Sequence, residues 1–308
     1  MQPLRFAIYG NVHQARKSAL VKKLLSCLEG HGAEVWIDRL FHEYLTKQLK
    51  LDVSPTGFIE GDRFIDLQGR KVETKTDYAV SMGGDGTFLH TATRIGDEGT
   101  PIIGVNTGRM GFLADVSGTD IETTISGIYR GEYRVEERTV LGVNIDKGIG
   151  VNGEDSSYPY ALNEVAVMKL DSSSMISIRV EVDGEYLTTY QADGLIVNTP
   201  TGSTGYALSV GGPIMSPKSN VIGIVPVAPH SLNVRPITIC DTSEVRLTVE
   251  SRNHQFLVAL DGRSHTCSDD TKLVIQRAPY CVRVLKRKDS SFFSTLREKM
   301  MWGSDVRN

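Results

Sequence analysis

An aspartate interrupts a glycine-rich segment that is otherwise well suited to bind a phosphate group. The apolar residues 78–82 predict a strand, GGDGT follows at 83–87, and the spacing over 88–95 predicts a helix. Sheets of α/β proteins bind phosphate at such junctions, because glycines allow close approach and positive φ angles and successive amides point at the anion. The segment is neither a Walker A loop nor G-x-G-x-x-G. The predicted phosphate-binding residues are Gly83, Gly84, Gly86 and Thr87.

The carboxylate of Asp85 would repel a bound phosphate, so its presence in this segment needs a chemical reason. It can accept a hydroxyl proton while the neighbouring amides hold a phosphoryl group. It can also accept hydrogen bonds from ribose hydroxyls, as the acidic residue of dinucleotide-binding folds does. The structural alternative is an Asx turn in which Asp85 caps the following helix. We favour a functional role, because the aspartate lies in a glycine loop at a strand–helix junction.

A second group of polar residues begins at Asn163 and Glu164, which open an apolar strand although neither is favoured in strand interiors. Asparagine can pair with adenine through two hydrogen bonds, and a glutamate can accept hydrogen bonds from ribose hydroxyls. A β-bulge or a turn at the strand entry is the structural alternative. The pair is therefore a candidate nucleoside-binding site.

The segment 193–209 contains five serines and threonines, three glycines and one proline. Its amides and hydroxyls could bind a polar nucleotide, whereas a long surface turn rich in serine and threonine is the structural alternative. Tyr206 could stack on a ring of a ligand or belong to the core. The segment is therefore a second candidate for contact with a nucleotide.

The hydrophobic pattern changes along the chain and predicts two domains of different architecture. Strand and helix patterns alternate at first, as in a parallel sheet with helices on its faces, and strands then dominate, as in a β-sandwich. We predict a Rossmann-like α/β domain over 1–132 with 286–308, and an all-β sandwich domain over 133–285. Helical spacing over 292–302 predicts a C-terminal helix that returns to the first domain. Two less regular stretches are predicted as a helix at 41–51 and a loop at 54–69.

Composition limits the classes of function that the chain can have. With 308 residues, 40% hydrophobic and 23% charged, the chain can bury two ordinary cores. A net charge of −3 argues against broad nucleic-acid binding. The sequence contains no run of about 18 apolar residues, so no membrane span is predicted. The four cysteines have neither C-x-x-C nor zinc-finger spacing and are expected to be reduced. The N-terminal residues predict a strand and lack the long apolar stretch of a signal peptide. We therefore expect a cytoplasmic protein without membrane or nucleic-acid partners.

Taken together, the motifs resemble those of the NAD kinase family (ATP-NAD kinases). GGDGT at 83–87, NE at 163–164 and TPTGSTGY at 199–206 have the order of that family's signature motifs. Three further segments fit as well: NTGRMGFL at 106–113, DGLIVNTP at 193–200 and GGPI at 211–214. Lipid kinases and phosphofructokinases contain relatives of GGDGT, so the combination of motifs carries the resemblance.

The resemblance implies an activity as well as a fold. In the family the γ-phosphate of ATP is transferred to the 2′-hydroxyl of the adenosine ribose of NAD, and the GGDGT aspartate, here Asp85, is the proposed general base. It further implies ATP with Mg²⁺ or Mn²⁺, NAD as substrate, and a homodimer or homotetramer; no sequence pattern identifies metal ligands. The implied NAD-binding residues are Asp85, Gly86, Asn163, Glu164, Asp193, Thr204, Gly205, Tyr206, Ala207, Leu208 and Ser209.

The chain departs from the family pattern at two positions. Many members have alanine in place of Gly205 and leucine in place of Met110, and the neighbouring Arg109 could touch a phosphate or be solvated. His230 and Arg235 could lie near the dinucleotide or a subunit interface, or form a turn, and residues 148–158 predict a surface loop. Two other functions are considered: a diacylglycerol-type lipid kinase, which shares the glycine loop, and a non-catalytic NAD(P) sensor.

Overall fold

The computed structural model describes residues 3–12, 18–108, 111–146, 158–171 and 174–303. The chain divides into two compact units, the first formed by Met1–Glu137 with Val282–Asn308 and the second by Arg138–Cys281. In the described part of the chain, no helix is long and apolar enough to cross a membrane. The roles assigned to the two domains from sequence stay predictions.

A twisted sheet with parallel central strands forms the first unit. Its strands are β1 (Arg5–Gly10), β2 (Glu34–Asp38), β3 (Gly57–Glu60), β4 (Arg63–Asp66), β5 (Lys71–Val72), β6 (Tyr78–Gly83) and β7 (Ile102–Asn106). The order β7-β6-β1-β2-β3 is parallel throughout, and β4 and β5 extend the β3 edge in antiparallel fashion. The chain builds outward from β1 to β3 and then returns to the other side of β1, so the sheet has a topological switch point between β1 and β6.

The helices of the first unit bury one apolar face each. They are α1 (Ser18–Gly30), α2 (Arg39–Glu43), α3 (Asp85–Ile95), α4 (Ile121–Tyr129) and α6 (Phe292–Met300), whereas the short α5 (Tyr206–Ser209) belongs to the second unit. In α1 the buried residues Val21, Leu24 and Leu28 recur at intervals of three and four, which is the helical period. They join a core with Phe6 and Ile8 of the sheet. The predicted alternation of strands and helices is confirmed.

Two antiparallel sheets that share one core form the second unit. One sheet contains β10 (Glu164–Lys169), β13 (Gly194–Asn198), β14 (Val221–Val227), β15 (Ile237–Cys240), β17 (Gln255–Leu260) and β18 (Arg263–Ser268). The other contains β8 (Tyr133–Ile145), β9 (Tyr160–Ala161), β11 (Ile176–Val182), β12 (Glu185–Ala192), β16 (Val245–Glu250) and β19 (Lys272–Arg287). Val167, Leu195 and Phe256 of the first sheet pack with Ile178 and Leu247 of the second. This is the predicted β-sandwich.

Several predicted elements differ from those observed. The predicted loop at 54–69 is wrong, because it contains β3 and β4, whose short strands have too little alternation to be recognised. The predicted helix at 41–51 is α2 followed by a π-helical turn, Tyr44–Gln48. Strands β15 and β18 were not predicted, since β15 has only four residues and β18 consists mainly of polar residues. The predicted surface loop at 148–158 lies outside the described residues, except for Tyr158.

Candidate active site

The predicted phosphate-binding loop lies at the switch point of the parallel sheet. Strand β6 ends at Gly83, and α3 begins at Asp85 with Gly84 as its N-cap and no side chain capping it. The first amides of a helix have no intrahelical partners and carry partial positive charge, so they can bind an anion. Ligands of open α/β sheets bind at the carboxyl ends of the strands next to the switch point. The loop therefore has the position that phosphate binding requires.

The glycines of this loop allow one close side-chain contact and leave the rest of the loop accessible, and they do not have unusual backbone angles. A Cβ atom on Gly83 would lie 2.0 Å from Oγ1 of Thr87, so only glycine allows the threonine to fold back. A Cβ atom on Gly84 or Gly86 would meet no atom within 4 Å, so the outer side of the loop is open. None of these three glycines has a positive φ angle. The open side leaves room for a phosphate group.

Asp85 binds three consecutive backbone amides from a segment that follows β7. Its Oδ2 accepts a hydrogen bond from the amide of Phe112 at 2.7 Å. Its Oδ1 accepts from Leu113 at 3.0 Å and from Ala114 at 3.2 Å. Asp85 therefore does not cap α3, and the Asx-turn alternative is wrong. These contacts hold the carboxylate in one orientation at the mouth of the phosphate loop.

The segment 111–114 is fitted closely to this carboxylate. A Cβ atom on Gly111 would lie 2.3 Å from Oδ1 of Asp85, so a glycine is needed there. After the segment the chain rejoins the sheet, where the amide of Asn106 donates to the carbonyl of Val116 at 2.8 Å. The amide of Thr107 donates to the carbonyl of Gly83 at 3.1 Å, next to the phosphate loop. The loop that supplies the amides is thus fixed at its base.

In the β-sandwich unit, a second aspartate binds the backbone amides of Asn163 and Glu164, as Asp85 binds three amides in the first unit. Asp261 accepts hydrogen bonds from the amides of Leu162, Asn163 and Glu164 at 2.7, 2.8 and 3.1 Å. It lies in the tight Asp-Gly turn between β17 and β18, with a φ of 47°. The two residues of the Asn-Glu pair are about 100 positions away along the chain, so the contact joins distant parts of the sequence.

The side chains of the Asn-Glu pair have buried acceptor atoms without donors. In the described residues, Oδ1 of Asn163, Oε2 of Glu164 and Oδ1 of the neighbouring Asn198 have no hydrogen-bond partner. Burial, and to a lesser extent the charge of Asp261, raises the pKa of Glu164 to about 7. Unsatisfied buried acceptors are costly. They mark a place where a ligand can donate hydrogen bonds.

The segment rich in serine and threonine packs against the Asn-Glu pair. Oγ1 of Thr199 donates to the carbonyl of Leu162 at 2.6 Å, and Oγ of Ser203 donates to the carbonyl of Pro200 at 2.7 Å. A Cβ atom on Gly202 would lie 2.1 Å from the carbonyl oxygen of Asn163, so this glycine permits the contact. The hydroxyls of Thr199 and Ser203 therefore hold the segment in place instead of facing a ligand.

Other predicted residues of this segment lie on the sheet that contains β10, β13 and β14, on the face away from the sandwich core. Tyr206 is 38% exposed, and its hydroxyl lies 4.0 Å from the sulfur of Met168. Ala207 is completely buried, whereas Ser209 is exposed. A Cβ atom on Gly205 would lie 3.2 Å from Oε2 of Glu164, so an alanine at this position would crowd that oxygen.

Asp193 lies apart from Glu164 along the same strand pair. Its carboxylate forms an ion pair with Lys169 at 2.7 Å, next to the register pair Met168–Gly194. Glu164 pairs with Asn198 at the other end, four residues along β10, which corresponds to about 13 Å. The hydroxyl of Tyr206 lies beside Met168, at the Asp193 end. Only an extended ligand can reach both Asp193 and Glu164.

Comparisons with known proteins identify the family of the chain. The N-terminal domain of ATP-NAD kinases matches residues 6–133, and the C-terminal domain of ATP-NAD kinases matches residues 162–286. The NAD kinase of Bacteroides fragilis is 54% identical over 304 residues, which cover 99% of this chain and 100% of that protein. The chain belongs to the NAD kinase family. The NAD kinase of Porphyromonas gingivalis is 40% identical over 303 residues, covering 98% and 99% of the two chains.

Solved structures of NAD kinases support the fold. The yeast NADH kinase complexed with NADH has a TM-score of 0.82 at 21% identity, covering 99% of this chain and 89% of that chain. The NAD kinase of Archaeoglobus fulgidus in complex with ATP has a TM-score of 0.69 at 24% identity, covering 96% and 99%. The predicted two-domain architecture is confirmed, as is the predicted kinase activity on NAD. Neither the lipid-kinase nor the sensor alternative has support in these relatives.

Some residues singled out by their resemblance to NAD kinases have no assigned role. Arg109 and Met110 lie outside the described residues. His230 is exposed, and its amide donates to the carbonyl of Gln191 at 2.8 Å. Arg235 donates to the carbonyls of Leu232 and Val234 in its own loop. Their roles stay predictions.

Proposed function

We propose that the chain transfers the γ-phosphate of ATP to the 2′-hydroxyl of the adenosine ribose of NAD, giving NADP and ADP, with Asp85 as general base. The observation that carries this proposal is a carboxylate fixed by three amides at the mouth of a phosphate loop. Membership of the NAD kinase family supports the substrate pair, and relatives have been captured with NADH and with ATP.

The hydrogen bonds of Asp85 leave one acceptor position for a substrate hydroxyl. A carboxylate has about four lone-pair directions. Two amides occupy Oδ1 and one amide occupies Oδ2, so Oδ2 has one direction left. A ribose hydroxyl that donates there has its oxygen free to attack phosphorus, and its proton passes to the carboxylate. Because phosphoryl transfer depends on positioning, a carboxylate held in one orientation suits the step.

The amides of the glycine loop stabilise the transferred group. Gly83, Gly84, Gly86 and Thr87 are the proposed phosphate-binding residues, and Gly86 also borders NAD. The first amides of α3 carry the partial positive charge of the helix, and the loop is open at Gly84 and Gly86 beside them. Hydrogen-bond donors directed at the negative charge that develops in a transition state often lower the activation free energy by several kcal/mol.

The Asn-Glu pair is proposed to hold the adenosine part of NAD. The free acceptors Oδ1 of Asn163 and Oε2 of Glu164 match the donors that an adenosine offers, namely ribose hydroxyls and the adenine amino group. The exposed ring of Tyr206 and the distant Asp193 are proposed to contact the rest of an extended dinucleotide. The remaining proposed contacts are Thr204, Gly205, Ala207, Leu208 and Ser209.

The divalent cation is proposed to arrive with ATP. Among the described residues, no group of three or more His, Cys, Asp or Glu side chains could hold a metal ion. The described residues therefore do not fit a resident metal site, and no proposed step passes through a metal bound by the protein. Mg²⁺ commonly binds through substrate phosphates with few protein ligands, and Mg²⁺ or Mn²⁺ would neutralise phosphate charge here in this way.

We also propose a homodimer or homotetramer in the cytoplasm. Cys27, Cys240, Cys267 and Cys281 are free thiols, as expected where glutathione keeps cysteines reduced. Light scattering after size-exclusion chromatography tests the assembly, and a single species with the mass of one chain would contradict it.

Product analysis tests the proposed reaction. The wild type with NAD and MgATP should give NADP, detected by an NADP-specific dehydrogenase, with the phosphate assigned to the 2′ position by ³¹P NMR. An NAD analogue that lacks the adenosine 2′-hydroxyl is the control and should receive no phosphate. Phosphorylation of that analogue, or of diacylglycerol in vesicles but not of NAD, would contradict the proposal. Binding of NAD without ATP consumption would contradict it as well.

A further inference from the structure

The segment 111–114 that orients Asp85 is also bound by a lysine from the C-terminal helix. Asp85 accepts from the amides of residues 112–114. The carbonyls of Gly111 and Ala114 accept hydrogen bonds from Nζ of Lys299, the second at 3.2 Å. An acidic side chain thus holds the donors of this short segment, and a basic side chain holds acceptors at both of its ends.

Lys299 lies in the last turn of α6, where it ties the helix to this segment. Leu296 is the buried residue of α6, so the helix packs through a narrow face. Burial lowers the pKa of Lys299, and the charge of Lys286 lowers it further. The charges of Asp115, Asp85 and Glu298 oppose this effect. The amine is therefore partly removed from water, and its hydrogen bonds to carbonyls are stronger there than they would be in water.

A second lysine near the segment has a separate partner. Nζ of Lys286 donates to the Asp115 carboxylate at 2.8 Å, and the side chains of both residues are largely buried. Lys286 therefore fixes the residue that follows the segment, whereas Lys299 binds the segment's own carbonyls. The contacts to Gly111 and Ala114 are thus a distinct contribution of the C-terminal helix.

We propose that Lys299 is a positioning residue for phosphoryl transfer. By holding the carbonyls of residues 111 and 114, it fixes the amides that orient the Asp85 carboxylate. This inference rests on the proposed role of Asp85 as general base. Without Lys299 the segment can move, and the free lone pair of Asp85 then points away from the acceptor hydroxyl for part of the time. Misplacement of a catalytic group by about 1 Å can cost on the order of 100-fold in rate.

The variant Lys299→Ala tests this inference, with Arg297→Ala as its matched control. Arg297 lies on the same helix with the same charge, but it is exposed. We expect Lys299→Ala to lower kcat between about 10- and 100-fold, with the KM values for NAD and ATP within about threefold of the wild type. Because the lost group is an alkylamine that is partly buried, millimolar ethylamine should restore part of kcat in a saturable way. Arg297→Ala should keep wild-type kcat and not respond to ethylamine.

The outcomes separate this inference from the proposed reaction. All assays are run well below the unfolding temperature of each variant, measured by circular dichroism. A wild type that makes no NADP would refute the proposed function itself. A wild type that makes NADP, with Lys299→Ala at the wild-type kcat, would overturn the positioning role alone. A lower kcat without any recovery in ethylamine would overturn it too, because a merely structural defect predicts that result.

Discussion

Glu164 allows a quantitative test of how the β-sandwich unit binds NAD. Burial and the charge of Asp261 raise the pKa of the Glu164 carboxyl from 4.5 to about 7. The ionised carboxylate is the stronger acceptor for a ribose hydroxyl, because the protonated acid uses one of its oxygens as a donor. With a pKa near 7, the ionised fraction is about 3% at pH 5.5 and about 75% at pH 7.5. We therefore expect NAD to bind more tightly at pH 7.5 than at pH 5.5, by up to about 25-fold.

The same pKa shift should have the opposite effect on folding stability. The folded chain holds the Glu164 proton more tightly than the unfolded chain, so stabilisation is complete below pH 4.5 and is lost as the pH rises through about 7. The full difference amounts to about 3 kcal/mol. Glu164→Gln cannot ionise, so it should be more stable than the wild type by up to about 3 kcal/mol at pH 8 and similar to it near pH 4.5.

Calorimetric titration of NAD at pH 5.5, 6.5 and 7.5, and urea unfolding at pH 4.5 and 8, measure these effects. Glu164→Gln should bind NAD weakly with little dependence on pH. Glu250→Gln is the matched control, because this glutamate is exposed on a strand of the same unit. The reasoning is refuted if Glu164→Gln retains the wild-type dependence of NAD affinity on pH, or if the wild-type affinity is constant over this range.

Two further substitutions test the contacts that Asp85 and Asp261 make with backbone amides. Gly111→Ala should place a methyl group 2.3 Å from Oδ1 of Asp85 and lower kcat by on the order of 10- to 100-fold. Gly30→Ala, which meets no atom within 4 Å, should leave steady-state kinetics unchanged, and equal kcat in both variants would contradict the predicted clash. Asp261→Asn should raise the KM for NAD about tenfold and destabilise the chain by about 2–3 kcal/mol. Asp183→Asn is the matched control, because Asp183 lies in another Asp-Gly turn and accepts a hydrogen bond from one backbone amide. It should lower the free energy of unfolding by about 1 kcal/mol in chemical unfolding. Equal effects of the two changes would contradict the positioning role of Asp261.

Local features of the site could be predicted from the sequence. The strand, glycine loop and helix around Asp85 are contiguous, so their residue types determine the junction directly. The same is true of the Asp-Gly turn at Asp261 and of the strand that follows Asn163. Short-range patterns of this kind depend on neighbours along the chain.

The partners of these residues could not be predicted in the same way. Asp85 binds amides 27 to 29 residues away, and Asp261 binds amides 97 to 99 residues away. Lys299 reaches a carbonyl 188 residues away. A backbone amide or carbonyl belongs to almost every residue type, so no sequence pattern marks it as a partner. The only sequence signal was the family-like NTGRMGFL segment, which contains Gly111 but does not reveal its contact with Asp85.

Single-turnover kinetics of Asp85→Asn test the general base most directly. NAD binding is measured separately by calorimetry, and Asp97→Asn, an exposed aspartate just beyond α3, is the control. We predict that Asp85→Asn binds NAD within a few-fold of the wild type but forms NADP at least about 100-fold more slowly, while Asp97→Asn matches the wild type. Formation of NADP by Asp85→Asn at the wild-type single-turnover rate would contradict the account.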